Sequence, residues 1–81
     1  MLIRTHDVLY WSLPTPCLAR VRGLVLVGEK AFAAVSLLTA VSDGCFEVGQ
    51  LEERIVECVV IERTLAYIEL APGRFKVLMP A

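Results

Sequence analysis

The sequence predicts a small α+β domain, on three observations. Leu18–Val27 reads as a strand, Ala31–Val41 has the composition and spacing of a helix, and the last segments flank a Pro-Gly turn. The expected architecture is one mostly antiparallel sheet with the helix packed on one face. At 81 residues, the chain has the length of a single domain, 1–81.

The first element expected is a strand from Leu2 to Trp11, although its alternation is imperfect. Leu13-Pro14-Thr15-Pro16 then interrupts it, because two prolines remove two backbone donors and hold an extended link. In Leu18–Val27, Arg20 and Arg22 first alternate with Ala19 and Val21, the pattern of a half-exposed strand. Leu24-Val25-Leu26-Val27 follows, apolar on both faces, as in a strand covered twice.

Gly28 ends that strand and Glu29 opens the expected helix. Ala31–Val41 is rich in Ala and Leu, with Phe32, Val35 and Leu38 at helical spacing. Gly44 is the expected left-handed residue that closes it. Leu51–Arg54 is read as a short helical turn and Ile55–Glu62 as a strand, since β-branched residues crowd the second segment. Leu65–Leu70 and Arg74–Met79 form a hairpin through Ala71-Pro72-Gly73, because proline pre-sets the first turn angle and glycine accepts the positive one. The expected core is Leu24, Leu26, Phe32, Val35, Leu38, Val59, Ile61 and Ile68.

Composition narrows the function classes. Apolar residues make up 57% and charged residues 21%, which excludes a disordered chain. An 81-residue domain buries only about 60% of its unfolded surface, so this many apolar side chains exceed what the interior hides. A partner is the natural outlet, and a homodimer is the expected one, since two-fold dimers are the commonest soluble assemblies. No run reaches the roughly 20 apolar residues of a spanning helix: Glu29 and Lys30 break the best candidate. Three cysteines without close spacing suit the cytoplasm better than a disulfide framework.

No catalytic or cofactor constellation emerges, so the chain is expected not to be an enzyme and to bind no cofactor. Gly23–Lys30 has two glycines and a lysine, but four β-formers fill its middle and Glu29 stands where a phosphate loop needs lysine. Cys17, Cys45, Cys58 and His6 lack the short spacings of a zinc site. On a strand, His6 and Asp7 point to opposite faces, so Asp7 cannot steer His6 as a catalytic base. Glu52, Glu53 and Glu57 read as a solvated acidic face.

Net charge is −1, with basic ends and an acidic middle. Two surfaces follow. The leading one is a self-association surface on the terminal hairpin, formed by Tyr67, Phe75, Val77 and Met79, in a non-enzymatic oligomeric interaction or structural module. The alternative is an anion or nucleic-acid patch made by Arg4, Arg20, Arg22, Arg74 and Lys76 beside an aromatic stacking surface. The same five charges also suit pairing with the acids of the middle segment.

Overall fold

The expected helix Ala31–Val41 is a strand. A computed structural model describes residues 2–78, and its elements run β1 (Val8–Trp11), β2 (Cys17–Val27), β3 (Lys30–Ser42), β4 (Cys45–Glu57), a 3₁₀ turn (Cys58–Val60), β5 (Arg63–Ala71) and β6 (Arg74–Leu78). The α+β expectation is therefore corrected to an all-β one: the strands close into a barrel in the order β1-β2-β3-β4-β6-β5, with every neighbouring pair antiparallel.

Turn chemistry explains much of this outcome. Gly28 and Gly44, both at positive φ, bound β3 with tight turns. Positive φ at Gly28, the first central residue between Val27 and Lys30, belongs to a type II′ turn, whose twist suits a hairpin. Val35, Thr39 and Val41 favour extended backbone inside the stretch that Ala and Leu mark as helical. Residues 51–54 run within β4, and the short helical element lies further on, at Cys58–Val60. The terminal hairpin forms through Pro72-Gly73, with Gly73 at positive φ. Its Met79 lies outside the described residues.

Two apolar clusters occupy the two sides of the sheet. The barrel interior holds Val8, Leu65 and Val77, with Tyr10, Leu18, Leu38, Phe46 and Tyr67 packed around them, so all six strands contribute. The second cluster lies on the other side of β1, β2 and β3. It contains Leu9, Trp11, Ala19, Val21, Ala33 and Val35, and Ile61 is buried with them. Ile3, Val56 and Cys58 pack against this outer cluster. Successive residues of β1 thus serve opposite clusters, as the pleat requires.

Two of the register shifts redirect the strands. Val21 faces Val35 and Gly23 faces Ala34, so Arg22 is an extra residue in β2. The shift reverses the side-chain parity, and Leu24 and Leu26 then share a face with Ala33 and Ala31. In β4, Val48 faces Leu38 while Glu53 faces Ser36, so five steps along β4 match two along β3. This carries β4 from the barrel interior at Phe46 to the outer cluster at Val56.

Of the expected core, Val35 and Ile61 are buried, Phe32 and Leu38 are half-buried, and Leu24, Leu26, Val59 and Ile68 are exposed. Those four are corrected from core to surface. Leu24 and Leu26 lie beyond the last residue of β2 paired with β1, and Val59 sits on the 3₁₀ turn.

Candidate functional site

The most distinctive surface is an apolar ribbon where β2 and β3 outrun the barrel. Leu24, Val25, Leu26 and Val27 pair with Ala33, Phe32, Ala31 and Lys30. On the far side of β3, β4 continues the sheet, with Val56 opposite Ala33 and Glu57 opposite Phe32. Leu26 is 71% exposed and Val27 61%, and Leu24 and Val25 are nearly half exposed. Ile55 and Val59, at 71% and 79%, extend the apolar surface onto β4 and the 3₁₀ turn.

Both faces of Leu24–Val27 are apolar, and Lys30 and Glu57 flank Val25 and Phe32 on one of them. Leu24, Leu26 and Ala31 share one face and, with Ile3, Val25 and Cys58, line an open cavity of about 320 Å³. Val25 and Phe32 share the other face. Contiguous exposed apolar patches larger than a few hundred Å² mark interaction sites. No helix among the described residues is long and apolar enough to cross a membrane.

A second candidate is polar. A cavity of about 400 Å³ is lined by His6, Arg20, Val21, Arg22, Ser36, Val48 and Gly73. The Arg20 guanidinium lies 4.8 Å from the centre of the Phe75 ring and donates to His6 Nδ1 at 3.2 Å. Carboxylates offset the charge of both arginines: Glu69 stands 3.7 Å from Arg20, and Glu53 pairs with Arg22. Tyr67 adds a hydrogen bond of 2.6 Å to the His6 carbonyl, tying the N-terminal turn to β5. His6 takes positive φ in that turn. The cluster carries little net charge.

The residues of the expected basic patch are not brought together on one face. Arg20 turns inward over Phe75, whereas Arg74 and Lys76 alternate with the buried Phe75 and Val77 and face outward. Arg74 pairs with Glu47 at 3.6 Å. Arg4 lies in the N-terminal turn, where its backbone N–H donates to Asp7 Oδ2 at 2.8 Å.

The expected hairpin surface is also displaced. Phe75 and Val77 are buried inside the barrel, and Tyr67 is half-buried with its ring edge-on to Phe75 at 5.4 Å. They pack the monomer and are not offered to a partner. Cys17, Cys45 and Cys58 are free and half-buried. Among the described residues, no three His, Cys, Asp or Glu side chains gather at a possible metal position.

The residues that sequence reasoning missed as surface are Leu24, Leu26 and Val59, assigned to the core, and Ile55. Their signal was present in part. Leu24–Val27 is apolar on both faces, as a doubly covered strand should be, but the described residues cover only part of it.

No protein-family model, curated protein or solved structure matches this chain.

Proposed function

We propose that the chain is a non-enzymatic interaction module that self-associates as a homodimer through the β2–β3 ribbon, and that it works in the cytoplasm. The observation that carries this reading is the exposure of Leu24–Val27, apolar on both faces and only partly covered by the described residues. Burying a large aliphatic side chain is worth about 1.5–3 kcal/mol when complete. Several half-exposed ones therefore supply a substantial driving force for association. Three free cysteines support the cytoplasmic assignment.

The anion-binding alternative has weaker support, because Arg20, Arg22 and Arg74 each stand against a carboxylate. Salt separates the two readings. Phosphate contacts release counterions, so oligonucleotide binding falls steeply with salt, whereas apolar self-association tolerates it.

The experiment is light scattering on the wild type and on Leu26→Asp at low and high salt. Leu26 is largely exposed, so the substitution leaves the barrel folded, with circular dichroism as the check. The reading expects a wild-type dimer at both salt concentrations and a Leu26→Asp monomer. A dimer unaffected by Leu26→Asp removes the ribbon from the interface.

A further inference from the structure

The self-association proposed above leaves open how two ribbons meet, and the backbone suggests a geometry. Leu24–Val27 is hydrogen-bonded to β3 along one edge. Its other edge makes no backbone hydrogen bond to any described residue: β1 pairs with β2 only over Cys17–Arg20, and two further bonds end at Val21. Natural sheets blunt such edges with lysine, proline or inward charge. Between Gly23 and Gly28 this segment has none of these residues.

We propose that two copies pair edge to edge along Leu24–Val27, antiparallel about a two-fold axis centred on Val25, so that one sheet runs through both molecules. The proposal rests on the self-association reading and adds its register. A two-fold antiparallel pair has its axis perpendicular to the sheet, so one residue must face its own copy. Centring on Val25 sets Leu24 opposite the second copy's Leu26 and Leu26 opposite its Leu24. Four leucines then lie side by side on the face that carries the open cavity with Ile3, Ala31 and Cys58.

Strand length selects this register over its neighbours. The open edge runs from Gly23, after the extra residue Arg22, to Val27, before the turn at Gly28. Centring on Val25 pairs this whole edge with its copy, whereas centring on Leu24 or Leu26 leaves two of its residues without a partner. A second copy also needs no complementary sequence from another protein, because the uncharged segment pairs with itself.

Directly opposed residues of an antiparallel pair have Cα separations within disulfide range. Val25→Cys should therefore form a disulfide-linked dimer on mild oxidation, located by mass spectrometry of the cross-linked peptide. Leu24→Cys should cross-link to Leu26→Cys when the two are mixed. In the wild type, those amides of Leu24–Val27 that point to the open edge should exchange at least about tenfold more slowly as concentration drives dimerisation. A dimer with neither cross-link, and with these amides exchanging at the monomer rate, overturns edge pairing and leaves self-association standing. Cross-linking of Leu26→Cys to itself with none at Val25→Cys overturns the register. A wild type that stays monomeric overturns both.

Discussion

Arg20 lies over the ring of Phe75 with 4.8 Å between guanidinium carbon and ring centre, so a residue expected in a surface patch caps one expected in a dimer contact. Phe75 is fully buried, and Tyr67 meets it edge-on at 5.4 Å. Phe75→Ala should cost about 3–5 kcal/mol, the range for removing a buried aromatic ring. Urea denaturation followed by circular dichroism measures it. Phe75→Asp should unfold the chain rather than dissociate folded subunits. A folded, dissociated Phe75→Asp protein would return Phe75 to the interface.

Glu62 predicts a pH dependence. Its carboxyl is held below the ordinary carboxylate value first by the hydrogen bond from the Ser12 hydroxyl, then by the one from the Ser12 backbone N–H. A depressed folded-state value adds stability above the unfolded-state value, and that stability is lost as pH falls through the folded one. Glu62→Gln should therefore be less stable than wild type at pH 7, and the difference should shrink as pH falls below 4.5. Thermal melts at a series of pH values check it. A difference that does not change with pH would separate the effect from Glu62 ionisation.

The Pro72-Gly73 turn is a third point of test. Gly73 has φ +78°, and the left-handed region costs a residue with a Cβ roughly 1–2 kcal/mol. Open space surrounds the position a Cβ would take, so backbone conformation alone sets the penalty. Gly73→Ala should lose about that much by chemical denaturation, with the hairpin retained. A neutral substitution would indicate that the turn relaxes to another type.

How much was legible in the sequence differs from element to element. The β5–β6 hairpin was readable because Pro72 and Gly73 carry a turn signal that tertiary context has little reason to override. The β2 boundaries were nearly readable for the same reason, with Gly28 at one end. β3 was not. Ala33, Val35 and Leu37 serve the outer cluster while Ser36 and Leu38 face the barrel interior, so both sides of the strand are covered. Such a strand loses the period-two pattern and resembles a buried helix. These two register shifts carried a faint signal in Gly23 and Gly49, because an isolated glycine inside a strand marks a bulge, but the signal gives neither the size of the shift nor its direction. Without the shifts, the placement of Leu24 and Leu26 outside the core could not be inferred. For the candidate site, the apolar excess was readable from composition, but the segment carrying it was not.

Sedimentation equilibrium of the wild-type chain up to high micromolar concentration tests the central claim most directly. Self-association through the ribbon predicts a mass approaching twice the 8.9 kDa of the chain, unchanged by added salt. A mass of 8.9 kDa across the whole concentration range would contradict it.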